Sequence, residues 1–393
     1  MADYGFDFER FMARERFEKI RRFLEDKATP AVAVDLAVVR ERFNSLRRLM
    51  PDVMPYYALK SNPATEVARE LVGLGSCFDI ASIYELDQVL ALGAGPERVS
   101  YGNTIKKAKD IAYAYEKGVR LYATDSELDL RNIAEYAPGS RVLFRLMTDG
   151  AGADWPLSRK FGAHPDSIFK MVMLSRRLGL TPEGVSFHVG SQQRDIGQWD
   201  NAIATCHYLF RSCEEEGIEL KTINLGGGLP AQYVFPTQPI EDYTSEIMRF
   251  LHEDFEDNMP KLIIEPGRYM VADSGVMASE VVLVSKKSPS NLYSWVFVDI
   301  GKFGGLIETI DESIKYPIFS ELTGPTQEVI LAGPTCDSMD VLYEDYRYRL
   351  PEKLDVGDRL YLMTTGAYTQ SYSAVCFNGF PPLEMHVVDT DAM

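Results

Sequence analysis

The sequence predicts an α/β protein: a (β/α)8 barrel of the TIM type, with a second, β-rich domain. Three observations lead there. Eight short apolar runs alternate with helix-patterned segments from residue 55 to residue 268, and each run carries glycines or a polar or charged residue at or near its end. Beyond residue 270 the helical pattern gives way to strands and turns. The chain has 393 residues, more than the ~250–300 that a single core usually serves. The division expected is an N-terminal segment, 1–36, contributing to the β domain, a barrel over 37–272 and a β-rich domain over 273–393.

The runs are PYYALK (55–60), SCFDIAS (76–82), RVSYGN (98–103), LYATDS (121–126), RVLFRLM (141–147), VSFHVGS (185–191), TINLGGG (222–228) and KLIIEPGR (261–268). Between them lie helix signals. Asn62 can cap a helix with Pro63 at its first position and Glu66 in the capping-box place. Ser82 and Glu85 form a capping box before Leu86 and Val89, and Gly93 stops that helix. Thr104 precedes an apolar stripe ending at Gly118, and Ser126 with Asp129 repeats the box. SEVVLVSKK, LYSWVFVDIG, TQEVILAG, DRLYLMTTG and LEMHVV read as strands of the second domain, joined by TPAVAVDL near residue 30. Residues 1–28 read as helical and peripheral. A doubly wound open sheet has the same periodicity as a barrel, so pattern alone leaves closure open.

Composition narrows the function. Apolar content of 46% and charged content of 25% are those of a soluble globular protein. No run approaches the ~20 apolar residues of a membrane span, and the charged N-terminus has no signal-peptide core. A formal charge of −17 argues against nucleic acid and anionic membranes as partners. Five cysteines without metal spacing suit a reduced, cytoplasmic setting.

Barrel enzymes work at the C-terminal ends of their strands. Here those ends carry Lys60, Asp79, Asn103, Asp125, Arg145, His188 with Ser191, Gly226–Gly228, and Glu265 with Arg268. A lone lysine at a strand end is usually a solvated loop residue, and EPGR alone reads as an ordinary ion pair. A lone histidine is as readily a packed core residue as a catalytic one. Three consecutive glycines exceed the needs of a turn and let backbone amides approach an anion, without forming the GxGxxG of a dinucleotide fold. GPTCDSMD (333–340) reads alone as a surface turn. A packed core does not require charges and glycines at every strand end, so their recurrence favours a site.

In their order, YYALKSNP, CFDIAS, FHVGSQ, NLGGGLP, EPGRY, GPTCDSMD, GAYT and FNGF resemble the fold-type III, alanine racemase-like pyridoxal-phosphate decarboxylases, in the ornithine/lysine branch. The likeness runs from about residue 30 to 385. It implies pyridoxal 5'-phosphate as cofactor, carried as a Schiff base on Lys60. Glu265 would bond the pyridine nitrogen. Gly226, Gly227 and Gly228 with Ser191, Arg268 and Tyr368 would hold the phosphate, and His188 would stack on the ring, with Asp79 and Arg145 nearby. It implies a homodimer with shared sites, in which Cys336 reprotonates the carbanion, Asp337 binds the distal amine and Phe377 borders the cofactor. Lys160 and Asp340 would form an intersubunit ion pair.

The function implied is decarboxylation of a basic amino acid, L-ornithine to putrescine and also L-lysine to cadaverine, in polyamine biosynthesis. Asp311, in GGLIETIDESIKYP, would meet the distal ammonium, or Glu312 if the spacing shifts by one residue. Phe303 stands where ornithine enzymes of eukaryotes usually have tyrosine. Gln192 and Gln193 after FHVGS echo the diaminopimelate branch, yet no group for a second carboxylate is evident. Decarboxylation of diaminopimelate or carboxynorspermidine, and a catalytically inactive regulatory homologue, are the alternatives.

Overall fold

The computed structural model describes residues 6–156, 160–256 and 258–393. The polypeptide divides into two compact units. One holds Arg40–Pro230 and Gln238–Met270; the other holds the described residues up to Val39, with Ala231–Thr237 and Val271–Met393.

The first unit is a closed barrel of eight parallel strands: Val53–Ala58, Cys77–Ile80, Val99–Tyr101, Leu121–Thr124, Arg141–Arg145, Thr181–Ser186, Thr222–Asn224 and Lys261–Ile264. Register closes the circle, with Leu262 opposite Val53 and Thr222 opposite Lys261. Each predicted apolar run supplies one strand, and closure settles the choice against an open sheet. Tyr56, Cys77, Leu121, Ala123, Leu143 and Ile263 fill the interior, so the barrel is a packed core rather than a pore.

Capping chemistry sets the helix starts. Ser82 Oγ accepts from the Glu85 amide, and Glu85 Oε2 accepts from the Ala81 amide, fixing helix Ile83–Ala91. Two starts differ from the sequence reading. The helix expected at Pro63 begins at Thr65, because Asn62 lies extended before proline and its Oδ1 accepts from the Ala64 amide. The helix expected at Thr104 begins at Ala108. There Asn103 Oδ1 accepts from the Ile105 amide and Lys106 turns inward, its Nζ donating to the Asn103 and Ala123 carbonyls and to Asp129 at 2.8–2.9 Å.

In the second unit, six strands run in the order Ile318–Ser320, Arg359–Met363, Gly275–Ser285, Ser294–Val298, Thr326–Ala332 and Val341–Pro351. Ala31–Asp35 pairs antiparallel with Gly275–Ser285 and parallel with Glu384–Val388. Residues 1–5 lie outside the described residues, but the rest of the N-terminal segment is not peripheral. Helix Arg14–Glu25 buries Phe17, Ile20 and Leu24 completely, in one cluster with Val276, Phe319 and Tyr361. A fully buried phenylalanine contributes roughly 2–3 kcal/mol, so this helix is a structural part of its unit. Among the described residues no helix is long and apolar enough to cross a membrane.

Candidate active site

The barrel's C-terminal end is built strand by strand. Val53–Ala58 runs into one tight turn, Leu59–Ser61. Ser61 Oγ donates to the Ala58 carbonyl at 2.9 Å, and the Tyr57 hydroxyl donates to the Asn62 carbonyl at 2.9 Å. Leu59 and Ser61 are buried by this arrangement while Lys60 stays exposed, its Nζ 3.5 Å from Asp79 Oδ2.

Asp79 closes the second strand and is 5% exposed, and its Oδ1 has no hydrogen-bond partner among the described residues. Gly102 makes room for it, since a Cβ there would stand 2.0 Å from that oxygen. Burial lifts the Asp79 carboxyl above the usual carboxylate range, against the pull of Lys60 and Arg145. Glu265 follows the eighth strand, and its Oε1 accepts from Asn224 Nδ2 at 2.5 Å. Burial first, and the Asp79 charge second, push its carboxyl up to about 7, opposed by Lys60, Asn224 and Arg145.

His188 is neutral. Burial, then the charges of Arg145 and Lys60, hold its imidazole well below the usual range. Its Nδ1 accepts from the Gly190 amide at 3.0 Å, which assigns the remaining proton to Nε2. Its backbone carbonyl accepts from Thr148 Oγ1 at 2.6 Å.

Gly226–Gly228 follow the seventh strand. Gly226 has φ +64°, and a Cβ there would lie 1.9 Å from the Phe187 carbonyl oxygen, so only glycine fits. A Cβ at Gly227 would sit 2.9 Å from His188 Nε2 and 2.8 Å from the Glu265 carbonyl oxygen. Asn224 Oδ1 accepts from the Gly226 amide at 2.9 Å, so one asparagine ties the glycine loop to Glu265. Arg268, 3% exposed, donates through Nε and Nη2 to Ser191 Oγ at 3.2 and 3.1 Å. The structure thus brings together Lys60, Asp79, Arg145, His188, Ser191, the three glycines, Glu265 and Arg268 on one barrel end.

These residues fit pyridoxal phosphate. A buried guanidinium, a hydroxyl and a side-chain-free backbone loop suit a phosphate dianion. A carboxyl held beside a second carboxyl suits a cationic ring nitrogen, and the orphaned Asp79 oxygen shows that this end of the barrel keeps unused polar capacity.

Comparison with known proteins places the chain. The model of the pyridoxal-dependent decarboxylases' pyridoxal binding domain matches residues 36–272. The ornithine decarboxylase of Schizosaccharomyces pombe is 33% identical over 356 residues, covering 88% of this chain and 80% of that protein. Antizyme inhibitor 2 of Xenopus laevis is 32% identical over 98% of this chain and 87% of its own. The crystal structure of the lysine/ornithine decarboxylase of Vibrio vulnificus with putrescine has a TM-score of 0.85 at 28% identity, covering 96% of this chain and 99% of the other. The chain belongs to the pyridoxal-dependent decarboxylases. Within them it falls in the ornithine/lysine branch, and pyridoxal phosphate is its cofactor.

The remaining predicted residues lie in the β-rich unit. Cys336 and Asp337 are exposed on their loop; the Cys336 amide donates to Asn378 Oδ1 and Asp337 Oδ1 accepts from the Met339 amide, both at 2.8 Å. Phe377 packs against Phe303 with the rings tilted and their centroids 4.5 Å apart, and both line an apolar cavity of about 190 Å3. Tyr368 has φ +55° and packs near Tyr372. Asp311 is exposed, with φ +52°, at a kink in the short 3-10 segment Ile307–Glu312, so the expected helix is not a regular one. Glu312 is occupied locally, its carboxylate accepting from the Glu344, Asp345 and Tyr346 amides at 2.6–2.8 Å.

Asp340 is engaged within its own loop. It is 2% exposed, and its carboxylate accepts from the Lys302 and Thr335 amides and from Thr335 Oγ1. Lys160, expected as its intersubunit partner, is exposed beside the Phe161 ring. Of SRKFG, Ser158 and Arg159 lie outside the described residues.

Sequence reasoning passed over Asn224. A polar residue closing the otherwise apolar strand before the glycines was the available signal, since buried amides persist where both ends are used.

Proposed function

We propose that the chain decarboxylates L-ornithine to putrescine, and accepts L-lysine to give cadaverine, as a cytoplasmic homodimer serving polyamine biosynthesis. The observation that carries this reading is the pairing of Lys60 with Asp79 and Glu265 on one barrel end, in a chain of the ornithine/lysine branch. The V. vulnificus relative is solved with putrescine, which supports a diamine-sized site. Five free cysteines support a reducing compartment.

When bound, pyridoxal phosphate supplies a cationic conjugated ring that accepts the electron pair left as CO2 departs. The chain's own residues prepare for that. Lys60 presents its amine at the strand end, where Asp79 keeps it oriented. Glu265 would hold a proton for the ring nitrogen, and a cation bound beside it would favour its ionised form. Neutral His188 offers a flat face without adding a competing charge. Arg268, Ser191 and the glycine loop would anchor the phosphate.

Cys336 and Asp337, exposed on their loop, suit completion of a partner's site in the dimer. There the Cys336 thiol returns a proton to the substrate carbon, and Asp337 and Asp311 bind the distal ammonium, with Phe377 at the border. Diaminopimelate has a second carboxylate, for which no dedicated cation has been assigned. An inactive regulator, the class suggested by the name of the antizyme inhibitor relative, has no need of Lys60, Cys336 and Asp337 together.

The test is CO2 release from ornithine, lysine, arginine and diaminopimelate, side by side. Turnover of ornithine and lysine above the others supports the proposal; preference for diaminopimelate, or no release from any, refutes it. Ornithine and lysine differ by one methylene, which is worth only ~1–3 kcal/mol of discrimination, so both are expected to react.

A further inference from the structure

Gln193 is fully buried, and its side-chain amide uses both donors and one of the two acceptor positions. Nε2 donates to the carbonyls of Ala151 (2.9 Å) and Val189 (2.6 Å), while Oε1 accepts from the Asp195 amide (3.0 Å). Its backbone is equally engaged. The amide donates to the Gly228 carbonyl at 2.9 Å, and the carbonyl accepts from the Tyr243 hydroxyl at 2.9 Å. In a short two-stranded ladder Gln193 pairs with Ala153, and Ser191 pairs with Trp155.

One residue therefore joins three segments: the loop after the fifth strand, the segment Val189–Asp195 and the glycine loop. The surroundings leave no slack, since a Cβ at Gly152 would stand 2.7 Å from Gln193 Oε1 and one at Gly228 would stand 2.8 Å from the Gly190 carbonyl oxygen. The bond from Nε2 back to Val189 closes a loop in which Gly190 (φ +100°) and Gln192 (φ +55°) are both left-handed. For Gln192 that conformation is strained and persists only where its surroundings impose it. Ser191 sits inside this loop, with its hydroxyl on Arg268.

We propose that Gln193 is a positioning residue for the phosphate end of the cofactor: it fixes the Ser191 hydroxyl and the Gly228 peptide together against Arg268. The proposal rests on the assignment of those groups to the phosphate. A planar group with two donors and one acceptor is what the site demands. Glutamate would set oxygen against two carbonyls, and methionine would take the bond from three partners, the buried Val189 carbonyl among them.

The test compares two aldehydes. Cofactor-free wild type, Gln193→Met and Tyr243→Phe are titrated with pyridoxal phosphate and with pyridoxal, which lacks the phosphate, and the phosphorus resonance of the bound phosphate ester is recorded. Gln193→Met should weaken pyridoxal phosphate about 10-fold or more, change pyridoxal binding by less than about 2-fold and shift the resonance. Tyr243→Phe, which removes only the bond to the Gln193 carbonyl, should give a smaller loss in the same direction. It decides the question by the same ratio should Gln193→Met not fold. Equal weakening of both aldehydes, or none, overturns the role of Gln193. A wild type that does not prefer the phosphorylated aldehyde instead overturns the phosphate assignment, and this proposal with it.

Discussion

The two ends of the barrel use the same eight strands and treat their charges in opposite ways. At the N-terminal end, Arg141 faces Glu183 at 3.6 Å and the Thr222 hydroxyl donates to the same carboxylate at 3.0 Å, beside a cavity of about 270 Å3 that Asp52 and Lys261 also line. Opposite charges there meet and hydrogen bonds are made. At the C-terminal end two carboxyls, Asp79 and Glu265, occupy one site; burial raises both, and the charge of Asp79 raises Glu265 further. A buried Asp79 oxygen is left without a partner among the described residues. The base pairs its opposite charges as it stands, whereas the mouth gathers carboxyls for a ligand that supplies the opposite charge.

The largest break in this contrast comes from Lys60→Ala. Decarboxylation should fall by about 10^4-fold or more, and the cofactor's absorbance on the protein should vanish, because no other group at the mouth supplies the amine. Residual activity within about 10-fold of wild type, measured by CO2 release, would contradict it. Glu265→Gln comes next, with kcat lowered about 10^2–10^3-fold and the fold preserved.

The same variant sharpens the electrostatic claim. In the cofactor-free protein the Glu265 carboxyl moves from 4.5 up to about 7, so between those values the folded chain keeps a proton that the unfolded chain has released. Stability must then fall as pH rises through that window. Melting of cofactor-free wild type should lose ground to Glu265→Gln between about pH 5 and 7.5, and a constant difference would remove the claim.

Asp311→Ala should raise KM for both diamino acids about 10-fold with a smaller change in kcat. An effect confined to kcat would place Asp311 elsewhere. The smallest effect belongs to the base. Glu183→Gln should lower stability by about 1 kcal/mol, since Arg141 is partly solvated, and leave kcat/KM within about 2-fold. A large loss of activity would mean that the two ends are coupled.

Much of this was legible in the sequence because it is local. A strand run and the residue that ends it are adjacent in the chain, so Lys60, Asp79, His188, Gly226–Gly228 and Glu265 could be read from their runs. Helix starts failed where a side chain made an unexpected local bond, as Asn62 does to Ala64 and Asn103 to Ile105. Asn224 escaped notice, and Gln193 was read only as an echo of the diaminopimelate branch, because their meaning lies in partners 41 and 42 residues away, Glu265 and Ala151. Lys106 escaped for another reason: a lysine reads as surface, and only the fold supplies the carbonyls and the carboxylate that bury it.

The most direct measurement is borohydride reduction of the cofactor-loaded protein, followed by mass mapping of its peptides. The result expected is a pyridoxyl group fixed on Lys60 Nζ in stoichiometric yield. A pyridoxyl group on any other lysine, or on none, would contradict the assignment of the barrel mouth.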